Sequence, residues 1–252
     1  MTDFDLLIQL HIRQLRQGPG GQDETLLAAR LAGVNAEQRL TIADIGCGTG
    51  AAALTLAEHF NCDLTAIDFL PAFIEELKVR AEQRGVANKI TAQTGDMANL
   101  PFEEQQFDVL WSEGAIYNIG FKQGIKAWRK FLKPGGKIVL SELTWLTQNR
   151  PYELTNHWQK EYPEVATAGE KIAQLERNGY KLLGYFPLPE YCWVDNYFQP
   201  LVERFDSFKA QFPEKSSEVD ALIEEQQQEI SMYQKYKAYW SYGVYVAEKI
   251  AS

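Results

Sequence analysis

The heptapeptide Asp44-Ile45-Gly46-Cys47-Gly48-Thr49-Gly50 is the stretch best suited to hold a nucleotide-like ligand. It falls where an apolar run gives way to a helical pattern. At such a turn, free backbone N–H groups and the helix dipole attract negative charge. Glycines there let a ligand approach backbone that a side chain would screen. Asp68 closes the next apolar run, about 20 residues on, where a carboxylate can accept both hydroxyls of a ribose. The Gly-x-Gly-x-Gly spacing departs from the Gly-x-Gly-x-x-Gly dinucleotide fingerprint, although Ala51 satisfies its looser form. A nicotinamide or flavin enzyme therefore stays open, as does a tight turn with no ligand.

The elements that must position these residues follow from periodicity. Apolar strands at 40–45, 63–68, 89–95, 107–112 and 136–143 alternate with helical patterns near 50–60, 71–84 and 119–132. That alternation implies βαβ units and a parallel sheet. Pro71 suits a first helical position, after which Phe73, Leu77 and Ala81 share one face. Ile125, Trp128 and Leu132 do the same before Lys133-Pro134-Gly135-Gly136, which reads as a helix stop and turn. Upstream, Phe4, Leu7, Ile8, Ile12 and Leu15 predict a helix over 3–16, with Asp3 as its cap, ending at Gly18-Pro19-Gly20-Gly21. A second helix runs from Asp23 to Leu31. Beyond Trp145 the pattern predicts a loop with a short helix over 146–165 and a helix over 166–178. A strand over Tyr180–Leu188 follows, then helices over 195–237. A final strand over Ala238–Ile250 is expected to pair with Tyr180–Leu188.

With these pieces in order, residues 40–145 resemble class I S-adenosylmethionine-dependent methyltransferases. Asp44–Gly50 resembles that family's first motif, and Ala66-Ile67-Asp68 its second. Gly95-Asp96-Met97 resembles the third. Leu100-Pro101-Phe102 with Phe107-Asp108-Val109-Leu110 resembles the entry to the fourth strand, and Phe131-Leu132-Lys133-Pro134-Gly135-Gly136 the turn before the fifth. The resemblance implies an α/β, Rossmann-like seven-stranded methyltransferase sheet with helices on both faces and its last strand antiparallel. It implies one domain over 1–252: an N-terminal helical segment (1–38), a cofactor-binding core (39–145) and a substrate-side half (146–252) with a helical insertion at 195–237.

It also implies S-adenosyl-L-methionine as cofactor and S-adenosyl-L-homocysteine as product. Gly46, Gly48 and Gly50 would let the backbone approach the methionine part, with Asp44 orienting the loop or meeting the cofactor amine. Asp68 would hold the ribose, Phe69 and Met97 would sandwich the adenine, and Asp96 would hydrogen-bond it. Ser112 and Gly20 complete the expected cofactor contacts, the latter through a loop folded over the ligand as in several small-molecule relatives.

Methyl transfer from a sulfonium is an in-line displacement that requires alignment and exclusion of water. A base is required only where the acceptor arrives protonated. Acceptor residues are expected beyond the carboxyl ends of the fourth and fifth strands. Glu113 and Tyr117 are the catalytic candidates there, and Asn118, Trp145 and Trp193 the substrate candidates. Glu113 reads equally as a contact for the cofactor or for the next helix's N-terminus, and Tyr117 and Asn118 as packing or capping residues. The Asn/Asp-Pro-Pro-Tyr/Phe signature of relatives that methylate nucleic-acid bases or glutamine is not found after the fourth strand. Tyr152, Trp158, Tyr185, Phe186, Tyr191, Trp193, Tyr197 and Phe198 read either as a lid or as ordinary core, and His157 as a lone candidate base.

Composition narrows the class. With 252 residues, 45% hydrophobic and 23% charged, the chain is long enough for one large domain and ordinary for a soluble protein. A net charge of -9 argues against a phosphate-backbone partner. Three cysteines without metal-ligand spacing fit a reduced cytoplasm, and no apolar run reaches the roughly 18 residues of a membrane span. The sequence is therefore read as a cytoplasmic small-molecule methyltransferase, monomer or homodimer, with no metal, nucleic-acid or membrane partner. The alternatives are a cofactor-binding sensor or interaction subunit, and an NAD(P)-dependent oxidoreductase.

Overall fold

The computed structural model describes residues 1–250 apart from Ala36. Its centre is a sheet in the order β3-β2-β1-β4-β5-β8-β7. Five strands are mutually parallel: β1 (Leu40–Ile45), β2 (Cys62–Asp68), β3 (Ile90–Thr94), β4 (Phe107–Glu113) and β5 (Leu132–Trp145). β8 (Trp240–Lys249) is antiparallel and lies between β5 and β7 (Tyr180–Pro187), pairing with both. The two residues of β6 (Ala166–Thr167) add a short pairing to the end of β5. The seven-stranded sheet with an antiparallel last strand is thus present, and the two C-terminal long strands, β7 and β8, are neighbours as the sequence predicts.

Alternation along the strands explains the layers. In β1, Ile42 faces one side with α3 (Ala51–His59), α4 (Pro71–Gln83) and α2 (Gln22–Leu31). Its neighbours Ala43 and Ile45 face the other side, with α5 (Phe121–Trp128) and α7 (Ala168–Arg177). Strands covered on both faces read as nearly continuous apolar runs, which is why they were visible. Pro71 occupies the first turn of α4, and Thr167 and Glu170 form a capping box on α7. The sheet order reverses direction around β1, so β1 and β4 flank the crevice where this architecture binds ligands.

A third layer caps the crevice. α1 (Asp3–His11) packs on α11 (Ser216–Tyr236), together with α9 (Gln199–Val202) and α10 (Phe205–Gln211). A second small core of aromatic residues includes Trp193, Tyr233 and Trp240, with Leu154 of α6 (Tyr152–Glu161) packed among them.

Several expectations are corrected. The N-cap of α1 is Thr2, in a capping box with Asp5, rather than Asp3. The helix ends at His11 and not at 16, because the carbonyls of Ile12 and Gln14 accept from the Arg80 guanidinium of α4 at 3.0 and 2.9 Å. β5 begins at Leu132, so Lys133–Gly136 is an irregularity within the ladder, with Gly135 at φ +70°, rather than a turn before it. The 195–237 helical stretch begins earlier and is broken into α8 (Glu190–Trp193), a π-helical turn (Val194–Phe198), α9, α10 and α11. Among the described residues no helix is long and apolar enough to cross a membrane.

Candidate active site

A cavity of about 630 Å³ opens at the carboxyl ends of β1, β2 and β4, beneath α1 and α11. β1 delivers Asp44 and then the glycine loop. Asp44 is 1% exposed, and its Oδ2 has no hydrogen-bond partner. Burial, then the nearby carboxylates of Glu113 and Asp68, push its carboxyl well above the usual range. A cation facing this oxygen would reverse that.

The loop is held by Asp68 at the end of β2. Its Oδ2 accepts the Gly48 N–H at 2.8 Å and its Oδ1 the Leu70 N–H at 3.0 Å. Gly46 stands at φ +75°, and a Cβ there would lie 2.4 Å from the Ala115 methyl. The equivalent atom on Gly48 would meet Gln17 Oε1 at 2.5 Å. Gly46 is therefore required by its neighbour Ala115, and Gly48 by its left-handed backbone at φ +56°. Phe69, Asp96 and Met97 complete this side of the cavity; Phe69 is 68% exposed, an open ring at its wall.

Glu113 ends β4 and also lines the cavity, but its oxygens are engaged. Oε2 accepts from Arg16 at 2.8 Å; Oε1 accepts from the Thr25 hydroxyl at 2.7 Å and from Trp111 Nε1 at 3.0 Å. Arg16 belongs to an N-terminal strap, residues 12–21, that crosses the loop. Gln17 Oε1 accepts from the backbone N–H of Thr49 at 2.8 Å, and Arg80 donates to Thr49 Oγ1 at 2.7 Å. Tyr117 and Asn118 follow β4 in a short 3-10 turn and line the far side, with the Asn118 amide donating to the Ala115 carbonyl.

Ten of the fifteen expected site residues line one cavity: Asp44, Gly46, Gly48, Asp68, Phe69, Asp96, Met97, Glu113, Tyr117 and Asn118. Five do not. Gly50 turns away at φ +95°, where a Cβ would strike Leu77 at 2.1 Å. Ser112 is fully buried and donates to the Ile45 carbonyl, tying β4 to β1. Gly20 lies outside the lining, although Gly18 and Pro19 are in it, and its carbonyl accepts from Asn196. Trp145 packs under the Arg150 guanidinium, 4.6 Å from its ring centre. Trp193 is 2% exposed, stacks on Tyr233 at 4.7 Å and donates to Ser241 Oγ, so it is core. Of the aromatic stretch only Tyr197 reaches the cavity, and His157 packs against Trp158 outside it.

Sequence reading did not anticipate His11, Arg16, Gln17, Gln226 and Glu229 in the lining. For Arg16 and Gln17 the signal was their place just before the glycine-rich strap. The others lie on helices whose cavity face depends on how α1 and α11 meet.

A family model described as a methyltransferase domain matches residues 42–136, from β1 into β5. Over 175 residues the chain is 28% identical to a chloroplastic tocopherol O-methyltransferase of Arabidopsis thaliana, covering 67% of this chain and 45% of that protein. The chain spans about half the length of the curated relatives it matches. A solved SAM-dependent methyltransferase from Geobacter sulfurreducens, in complex with S-adenosyl-L-homocysteine, is similar with a TM-score of 0.82 and 22% identity, covering 97% of this chain and 96% of that one. The cyclase SpnF is similar at a TM-score of 0.73 and 18% identity over 99% and 93%. These likenesses establish the methyltransferase fold, and since one fold hosts several chemistries, activity must be argued from the site.

Proposed function

We propose that this protein transfers a methyl group from S-adenosylmethionine to a small-molecule acceptor. The observation that carries this reading is the two-sided lining of one cavity. Nucleotide-compatible groups from β1–β3 face it from one side, and a cap of aromatic and polar residues from α1, Tyr117 and α11 closes the other. The residues fit the cofactor. Asp44 Oδ2 is a buried acceptor without a partner, suited to the positive methionine end. Asp68 takes the ribose hydroxyls on the oxygen lone pairs not used by Gly48 and Leu70. Phe69 and Met97 flank the adenine, and Asp96 accepts from its amino group. The bound cofactor supplies a methyl group on a positive sulfur, open to in-line attack by an aligned nucleophile.

The chain's own groups bind, orient and exclude water. Glu113 acts here as the anchor that fastens the strap through Arg16 and Thr25. Tyr117 and Asn118 orient the acceptor. The likeness to a tocopherol O-methyltransferase is in keeping with a small acceptor, and the net charge of -9 with an acceptor other than nucleic acid. Three buried, unpaired thiols suit a reducing, cytoplasmic setting.

Thermal-shift titration with S-adenosylhomocysteine and NAD tests the cofactor, since a bound ligand raises apparent stability by mass action. Stabilisation by S-adenosylhomocysteine is expected; stabilisation by NAD alone would overturn the reading. Methyl-labelled S-adenosylmethionine with fractionated small metabolites then tests transfer. No labelled product in any fraction, despite tight cofactor binding, would leave a binding protein in place of the enzyme.

A further inference from the structure

The cap end of the cavity has a chemistry of its own. Among the described residues that line the cavity, five are carboxylic: Asp44, Asp68, Asp96, Glu113 and Glu229. Arg16 is the one permanent cation among them, and it is already paired with Glu113 at 2.8 Å. No guanidinium or ammonium in that lining is left to receive an anionic acceptor. A carboxylate or phosphate entering there would meet like charge.

Glu229 sits on α11 facing the cavity, where solvent reaches it, and the surrounding protein still raises its carboxyl by burial. No side chain hydrogen-bonds it. A second group points to the same kind of ligand. His11 is 8% exposed, stacks on the Tyr197 ring at 6.2 Å and lines the cavity, yet its Nδ1 has no hydrogen-bond partner. Burial pulls this imidazole down to about 4, against the opposing hydrogen bond of the Gln226 side chain. It is therefore neutral near pH 7 and carries a ring lone pair that can accept. Tyr117 and Tyr197 add ring faces, which attract cations.

We propose that this end of the cavity is an amine-binding acceptor site, in which Glu229 faces the positive nitrogen and His11 accepts one of its N–H groups. The inference rests on the methyltransferase reading above and names the acceptor class within it. Tyr117, Tyr197 and Gln226 shape the walls.

The test is binding rather than turnover. Wild-type protein saturated with S-adenosylhomocysteine is titrated calorimetrically with three amines of graded size, butylamine, benzylamine and tryptamine. Each is paired with the carboxylate of matching skeleton: butyrate, benzoate and indole-3-acetate. At least one amine is expected to bind tenfold or more tighter than its carboxylate partner. Glu229→Gln, which keeps the side chain's size, is expected to weaken that amine about tenfold while S-adenosylhomocysteine affinity stays within twofold. If no amine exceeds its partner, or if E229Q leaves amine affinity unchanged, the proposal is overturned. Failure of S-adenosylhomocysteine to bind at all would instead remove the methyltransferase reading itself, so the two failures are distinct.

Discussion

At the scale of single residues, geometry divides roles that residue type alone left together. Asp68 braces the glycine loop through the Gly48 N–H, and the proposed function gives it the ribose hydroxyls as well. Asp68→Ala is expected to weaken S-adenosylhomocysteine binding by about 1–3 kcal/mol, the usual loss for charged hydrogen bonds, as read by calorimetry. An unchanged dissociation constant would refute the role. Gly50 and Gly46 are expected to fail differently. A methyl at Gly50 strikes Leu77 in the core and should lower unfolding stability by about 1–3 kcal/mol. At Gly46 the collision is with Ala115 at the cavity wall, so loss of cofactor binding should exceed loss of stability. Denaturant midpoints beside binding constants separate the two cases.

Glu113 poses the sharper question at this scale. As an anchor for Arg16 and Thr25 it should, when changed to Gln, weaken cofactor binding together with the strap. As a base it would lower kcat and leave that binding intact.

At the scale of elements, the strap is the feature to test. Residues 12–17 are tied to the loop by side chains on α4 and in the strap itself, with Arg80 reaching Ile12, Gln14 and Thr49. Few backbone bonds hold this segment, so its order depends on those contacts. Arg80→Ala is expected to speed hydrogen exchange of amides 13–17 and to hasten release of S-adenosylhomocysteine, while β1–β5 stay protected. Exchange equal to wild type would mean that the strap stands without Arg80.

At the scale of the whole molecule, a buried titratable cluster lies between sheet and helices, apart from the cavity. Glu142 is 1% exposed; its Oε1 accepts from the Leu143 N–H and its Oε2 from the Tyr162 hydroxyl. Lys171, fully buried, places Nζ 4.4 Å from the centre of the Phe121 ring and without a hydrogen-bond partner. Burial pushes Glu142 up to about 7 from an ordinary 4.5, although Lys171 opposes this; Glu164 adds to it. The folded state therefore holds this proton more tightly than the unfolded chain. The resulting stability is complete below about pH 4.5 and is lost as pH rises through about 7, by up to roughly 3 kcal/mol. His11, which burial pulls down to about 4 from an ordinary 6.5, gains stability over the same range. The Glu142 share is therefore the difference between the wild-type and Glu142→Gln profiles in chemical denaturation, and E142Q should rise more steeply with pH than wild type. A wild-type slope that persists in E142Q would assign it elsewhere.

Local pattern alone determined the alternation of β1 to β5 with their helices, the Pro71 start of α4 and the run of motifs from Asp44 to Met97. Those signals are periodic or conformational, and they act within a few residues. The pairing of β7 with β8 was legible too, because both runs are apolar and bounded by turn residues. Tertiary structure decided the rest. It ended α1 at His11 through an arginine 68 residues away in sequence, and it buried Trp193 against Tyr233 and Trp240. It also turned His11, Gln226 and Glu229 from solvent-like helix positions into one wall of the cavity. Whether a polar helix face meets water or a ligand depends on which element covers it. That contact between α1 and α11 is long-range, so neither helix records it in its own periodicity.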